Sequence, residues 1–412
     1  MRPATPYRER ETTTPATPTA PPETLRPYLT PRHELLWQEA ELFAEQYVAP
    51  RIPRLEHSTS TFDRRLAQLM GRRGWFGVTV PAAHGGLEIG HVAKTILIHR
   101  ISVMSAAAGA ILQATLIPVG AVEHFGTREQ KTQWLPRVAD GSALMSIAVT
   151  EPTAGGHIGG METVAEREGD AWVITGSKAH IGNVHIADVH VVVARTGEEG
   201  KGPSQALTAF LVVNDLPGVS VTAYRAGHGL RGFSAGQLDL DHVRVEADQV
   251  LGEVGQGMEV AQHASIRHGR PNLAAVSLGI HDAVMKLTTA FLKARPRYGA
   301  TLLDLPVLQD RLGAITHRLH AARILLYHAA HLLDHGIDCD PDLINAKYSN
   351  HAWAIQSCQD AMELHGARAL DPDYPLQRLI RDIQHTYAPA GTGEFQRIHL
   401  ARSVLGTASP PQ

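Results

Sequence analysis

The sequence predicts an α+β protein with a helical N-terminal domain, a β-barrel or β-sandwich middle domain and a C-terminal four-helix bundle. Three observations predict it. Apolar residues recur with helical spacing over 31–142, alternate with period two over 143–250, and return to helical spacing over 251–405.

The first 30 residues are dense in Pro and Thr and predict a disordered tail; residues 406–412 predict a second, short one. In the first zone ELLWQEAELFAEQYVAPRIPRL places apolar side chains at i, i+3 and i+4 and breaks at Pro50 and Pro53. GWFGVTVPAAHGG reads as a helix end, a short extended piece and a Gly-rich turn. Apolar helices are expected over 92–104 and 106–124. TREQKTQWLPRVADG then reads as a short charged helix closed by Gly141.

The middle zone contains MSIAVT, TVAERE, AWVITGSKAHI, ADVHVVVART, ALTAFLVV, VSVTAYR and GQLDLDHVRV, separated by EGD, EEGKGPS and NDLPG. Short alternating runs with turn residues between them predict a sandwich or barrel. In the last zone ARILLYHAAHLLDHG and LINAKYSNHAWAIQSCQDAMELHG carry apolar stripes and end on Gly336 and Gly366. Long helices with short links predict a bundle.

Composition excludes several classes. A chain of 412 residues calls for two or three domains. A net charge of −3 leaves no basic footprint for nucleic acid. Cys339 and Cys358 form neither a disulfide framework nor a metal-type spacing, so no metal is expected and a reducing cytoplasm is. No window reads as the roughly 18 apolar residues of a membrane helix, and the N-terminus has no apolar signal core.

Several short segments follow one another in a fixed order. Val149-Thr150-Glu151-Pro152-Thr153-Ala154-Gly155-Gly156 heads the β zone, followed by Gly176-Ser177-Lys178-Ala179-His180-Ile181 and Gly252-Glu253-Val254-Gly255-Gln256-Gly257. Then come Arg270-Pro271, Arg295-Pro296-Arg297-Tyr298-Gly299, Gln309, Arg381-Asp382 and Gly391-Thr392-Gly393-Glu394-Phe395-Gln396-Arg397. Each is weak alone. Together, from about Pro31 to Leu405, they resemble the acyl-CoA dehydrogenase family.

The resemblance implies FAD lying between the β domain and the C-terminal bundle. It implies backbone contacts to the flavin from Val149 and Thr150, and close passage of Gly155 and Gly156 past the pyrophosphate and ligand. His180, Ile181 and Gly182 match the flavin edge. Arg295, with a permanent forked charge, matches an arginine that reaches the FAD of a neighbouring subunit. Tyr298, Gln309, Glu363, Gly366, Gly391, Thr392 and Glu394 match further FAD-binding positions, and Arg270 and Gly269 match the substrate cavity. A homo-oligomer, a dimer of dimers, follows. So does an acceptor of electrons, either electron-transfer flavoprotein or O2.

The departures bear on chemistry. An α C–H beside a thioester is a weak acid and needs a positioned base. The family places a glutamate just before the Gly-Thr of the last motif, where this sequence has Ala390. Other members place it just before the arginine of Arg270-Pro271, where this sequence has Gly269. Alanine contributes its backbone N–H alone. A relocated base would have to come from His268, Arg267, His385 or Glu394, and His268 is expected to point off the cavity face. Gly182 replaces a hydroxyl residue and is expected to open space beside the flavin. Glu363 replaces a glutamine and should repel phosphate unless Arg295 or another cation compensates. Three readings follow. One is oxidation of an acyl thioester or β-keto acid with decarboxylation, and with oxygenation of the epoxyketone type. The others are ordinary α,β-desaturation with a relocated base, and a flavin-free scaffold.

Overall fold

The computed structural model describes residues 18–197 and 206–406. The N-terminal helices are α1 (Pro31–Phe43), α2 (Ile52–His57), α3 (Arg64–Gly71), α4 (His91–Met104), α5 (Ala106–Phe125) and α6 (Arg128–Ala139). Their starts follow local chemistry. Thr30, Asp63, Ser105 and Thr127 each accept a backbone N–H from the first turn of the helix that follows. The expected order of helices holds here, with two corrections. Residues 75–84 hold no extended piece: Trp75–Gly77 and Ala82–His84 are 3-10 turns, and the Val80 and Leu87 N–H groups both bond the Gly77 carbonyl. Helix α5 is long and apolar enough to cross a membrane, contrary to expectation, yet it lies mostly buried among the other elements.

The expected disorder also fails over 18–30. Glu23–Tyr28 form a 3-10 helix, Leu25 is fully buried, and Thr19 bonds the Glu41 carboxylate through its N–H and hydroxyl. The buried leucine offsets the cost of ordering the segment. The rest of that predicted tail, residues 1–17, and residues 407–412 lie outside the described residues, as does EEGKGPS.

The middle domain is a mixed sheet of β1 (Met145–Ala148), β2 (Val164–Glu168), β3 (Ala171–Gly182), β4 (Val189–Arg195), β5 (Leu207–Val213), β6 (Val219–Val221), β7 (Ala235–Glu246) and β8 (Val250–Leu251). The order is β6-β7-β3-β2-β4-β5-β8, with β1 parallel to β4. Strands β6 and β8 do not pair, so the sheet is open rather than a closed barrel. Trp172, Ile174, Phe210, Val212, Leu238 and Val243 form a core within it.

Helix α7 (Gly257–His263) passes through a π-helical turn, Ala264–Gly269, into α8 (Arg270–Ala294). A hairpin of β9 (Pro296–Arg297) and β10 (Ala300–Thr301) leads to α9 (Pro306–Asp334), then α10 (Asp340–His365), α11 (Pro375–Ile383) and α12 (Gly393–Leu405). Helices α8, α9 and α10 pack on one another, and α12 packs on α10, forming the four-helix bundle. Helix α4 also packs along α8, so the N-terminal helices and the bundle share one continuous apolar core.

Candidate active site

The chain leaving β1 carries Val149, Thr150 and Glu151. Glu151 is buried and accepts the N–H groups of Glu162 at 2.5 Å and Thr163 at 3.0 Å. Lys178, fully buried on β3, donates to the same carboxylate at 2.7 Å and to the Val149 carbonyl at 3.1 Å. The Ala179 N–H donates to the Thr150 carbonyl at 2.8 Å. Burial pulls the Lys178 ammonium down to about 8, against the pull of Glu151. Burial alone would raise the Glu151 carboxyl, but its N–H and ammonium donors hold it below the usual range. The 149–163 loop is therefore pinned to β3 by a satisfied buried pair. This places Val149 and Thr150 beside His180, Ile181 and Gly182.

His180 has φ +57°, left-handed for a non-glycine residue, at the bulge between Lys178 and Ile181. Gly155 and Gly156 lie exposed in the loop, with no atom within 4 Å of an added Cβ and no positive φ. Neither protein packing nor backbone conformation calls for glycine there. The open space above them fits a dinucleotide passing close over the loop. Gly182 corrects an expectation. An added Cβ would meet Phe233 Cζ at 2.9 Å and Ala114 Cβ at 3.3 Å, so Phe233 fills the space that glycine was expected to open.

The two vacant base positions meet. A Cβ built on Gly269 would lie 3.4 Å from Ala390 Cβ and 3.9 Å from Ile117 Cδ1 on α5. A carboxylate at either position would enter the same space. Gly269 ends the π turn, a feature frequent at functional sites. Ala390 has φ +56° and precedes Gly391 at φ +95°. Its loop is clamped from both sides. Gln396 donates to the Ala390 carbonyl at 2.6 Å, and Lys347 donates to the carbonyls of Tyr387, at 2.6 Å, and Gly391. Among the described residues, the Ala390 N–H donates to no acceptor. Thr392 caps α12 through the Phe395 N–H.

None of the four alternative bases reaches this wall free of other work. His268 is buried beside Lys94, and its ring lies where a Cβ on Gly120 would stand. His385 accepts the Gly229 N–H at 2.8 Å. Arg267 lies 4.0 Å from the Asp338 carboxylate. Glu394 is exposed and bonded to the Tyr387 hydroxyl and Arg397. Arg270 is buried, with Nε unpartnered and no carboxylate within ion-pair distance among the described residues.

Arg295, Tyr298, Gln309, Glu363 and Gly366 lie elsewhere. Arg295 follows the last residue of α8, a helix of 25 residues and so about 37 Å long, whose first residue is Arg270. Tyr298 is 83% exposed on the hairpin, and Gln309 is exposed on the first turns of α9. Gly366, at φ +57°, ends α10. Arg311 pairs with Glu363, so the compensating cation is Arg311 rather than Arg295. Arg311, Lys347 and Phe233 carry no signal in the sequence, because their roles arise from contacts distant along the chain.

Comparisons with known proteins assign the family and the fold. Residues 30–142, 146–243 and 255–405 match the N-terminal, middle and C-terminal domains of acyl-CoA dehydrogenase. An acyl-CoA dehydrogenase of Bacillus subtilis (strain 168) is 32% identical, covering 88% of this chain and 95% of its own length. A 3-(aryl)acrylate reductase of Clostridium sporogenes is 31% identical over 92% of this chain and 100% of its own. The structure of butyryl-CoA dehydrogenase from Megasphaera elsdenii superposes with a TM-score of 0.88 at 26% identity, covering 92% and 99% of the two chains. The chain belongs to the acyl-CoA dehydrogenase family and is an FAD-dependent oxidoreductase acting on CH–CH groups.

Proposed function

We propose that this enzyme oxidises a β-keto acid or a 2-carboxyacyl thioester by decarboxylation coupled to desaturation. The observation that carries the reading is the contact between Gly269 and Ala390, two positions that offer no proton acceptor on one shared wall. Loss of CO2 removes the need for one. The bond from the α carbon to the carboxyl carbon breaks, and its electron pair becomes the enolate. No proton leaves carbon. Bound FAD supplies the acceptor for the hydride that departs from the β carbon. The chain's own part is to hold the carbonyl oxygen. The Ala390 N–H donates to it as negative charge grows, a duty for which the missing side chain is irrelevant. The clamps from Gln396 and Lys347 fix that N–H in place. Arg270, without an ion-pair partner, can face a carboxylate-bearing substrate without first losing a salt bridge.

The purified holoenzyme mixed anaerobically with a β-keto acid should release CO2 and bleach its flavin in equal amounts. Fast bleaching by a simple acyl-CoA with no CO2 from the β-keto acid would overturn the reading. That result would favour α,β-desaturation with a relocated base, which also predicts deuterium exchange at the α carbon. Reoxidation by O2 with oxygen incorporated into the product would establish an oxygenating, epoxyketone-type course. Reoxidation only by an electron-transfer flavoprotein would make that protein the partner.

The site is completed by a second subunit in this reading. The separation along α8 supports it, because Arg295 stands about 37 Å along the helix from Arg270, at its opposite end. Exposed Val307, Ile398, Val404 and Leu405 supply apolar surface for association. Arg295→Ala should weaken FAD retention about 10- to 100-fold, as loss of a charge-assisted hydrogen bond implies. Unchanged retention by equilibrium dialysis would remove Arg295 from the site.

A further inference from the structure

The loop that carries Ala390 is held along one face of α10 by two residues four positions apart. Lys347 and His351 are both buried and stand about 6 Å apart along the helix axis. His351 holds the root of the loop. The Thr386 hydroxyl donates to the Ile383 carbonyl at 3.0 Å, so its oxygen accepts from His351 Nδ1 at 2.9 Å. Ser277 Oγ on α8 lies 2.9 Å from the same oxygen. Lys347 closes the loop. Its ammonium donates to the Tyr387 carbonyl at 2.6 Å and to the Gly391 carbonyl. A single nitrogen thus joins residues 387 and 391. Between them lie Pro389, which has no N–H, and Ala390 at φ +56°.

The charges around this face are uneven. Arg270, at the start of α8, is the charge that reaches Lys347 from a neighbouring element. Tyr387, its ring 5.4 Å away, is the titratable group that faces His351 from the loop. No carboxylate is paired with either residue among the described residues. Burial lowers Lys347 to about 8, and Arg270 pushes the same way. Burial lowers His351 to about 4, and Lys347 pushes the same way. Between those values the face presents one neutral ring and one ammonium. The charge of Lys178 is met by the Glu151 carboxylate at 2.7 Å, whereas that of Lys347 is directed at two peptide carbonyls. A bond from a charged donor is about twice as strong as a neutral one, which gives a reason for a cation in an interior that disfavours it.

We propose that Lys347 and His351 form a two-point latch, in which the charged lysine is a positioning residue that sets the direction of the Ala390 N–H toward the substrate carbonyl oxygen. Both act through the loop. Loss of the Lys347 charge weakens two carbonyl bonds at once and frees the turn from 387 to 391, so the N–H no longer points at a fixed place. The inference rests on the carbonyl-holding role given to Ala390 above, but its test measures binding and needs no turnover.

Two CoA ligands separate this role from plain stability. Acetoacetyl-CoA binds as an enolate, with its charge on the oxygen to be held. Butyl-CoA, a thioether, has no acyl carbonyl. The holoenzyme is titrated with each by calorimetry, and with acetoacetyl-CoA also by the long-wavelength band that an enolate gives against oxidised flavin. Lys347→Met should weaken acetoacetyl-CoA about 10-fold or more and leave butyl-CoA unchanged. Lys347→Arg should restore most of that loss, and His351→Leu should reproduce part of it. In the parent the band should fade as pH rises through about 8, and in Lys347→Arg it should persist. Equal weakening of both ligands in Lys347→Met, or of neither, overturns the proposal. So does the same alkaline fading in the parent and in Lys347→Arg. If His351→Leu binds as the parent does, the second point of the latch falls. If Lys347→Met does not fold, the alkaline comparison decides alone. Failure of the parent to bind acetoacetyl-CoA overturns this proposal together with the role of Ala390, whereas CO2 release from a β-keto acid tests the decarboxylation separately.

Discussion

The flavin loop and the reacting wall sit on neighbouring elements yet have opposite chemistry. The loop from Val149 to Thr163 is pinned by a buried ion pair in which Glu151 and Lys178 satisfy each other and three backbone groups. The wall at Gly269 and Ala390 has no ionisable side chain at all, although its backbone is held as firmly by Gln396 and Lys347. Scaffolding and reactivity are separable in this fold. The loop keeps a satisfied buried ion pair, and the wall offers no side-chain proton acceptor at position 269 or 390.

The comparison can be broken most severely at the loop. Lys178→Met strands the buried Glu151 carboxylate and should cost about 3–5 kcal/mol of stability, with loss of flavin on dilution. A melting temperature within a degree of the parent would show that the pair does not hold the loop. At the wall the change runs the other way. Ala390→Glu, or Gly269→Glu, places a carboxylate in the shared space and should raise α-proton exchange on a simple acyl-CoA by about 100-fold or more. If only one of the two does so, the contact between them does not define a single site.

A smaller effect sharpens the link from the β domain to the bundle. Asp382 is buried, and its Oδ1 accepts the Leu230 N–H at 2.7 Å. Burial raises its carboxyl to about 6, above its usual value. The folded state therefore holds this proton more tightly than the unfolded chain does. The stability it contributes is complete below pH about 4 and lost as pH rises through about 6, on the order of 2–3 kcal/mol. Asp382→Asn keeps the acceptor and should flatten that loss; an unchanged pH profile of unfolding would refute it. The smallest effect is at the flavin edge. Gly182→Ala should cost about 1 kcal/mol through the Phe233 contact, and Phe233→Leu should restore it, both read from chemical denaturation.

Most of the fold could be read from periodicity, because α4, α5 and the seven longest alternating runs carry strong local signals. The 75–84 segment could not. Val78-Thr79-Val80 alternates as a strand does, but flanking Gly and Pro let its backbone bonds close locally instead of in a ladder. The open edge of the sheet was equally hidden, since no local pattern tells whether β6 finds β8. At the site, positions 269 and 390 were legible one at a time as departures from a motif, but their contact was not. Lys178 and Glu151, 27 residues apart, and Lys94 and His268, 174 apart, become partners only through tertiary packing. Glu363 was legible as a problem and Arg311 was not legible as its answer.

The left-handed backbone at Ala390 has a consequence for mutational access. A conformation that costs a non-glycine residue about 1 kcal/mol is kept here by neighbours, with no help from a functional side chain. The loop is a socket whose shape does not depend on what is plugged into it. In the genetic code, every alanine and glycine codon stands a single base from aspartate or glutamate, according to its third base. A library of point mutants of this gene therefore contains both carboxylate-bearing versions of the wall, each on a backbone that needs no further adjustment to receive it.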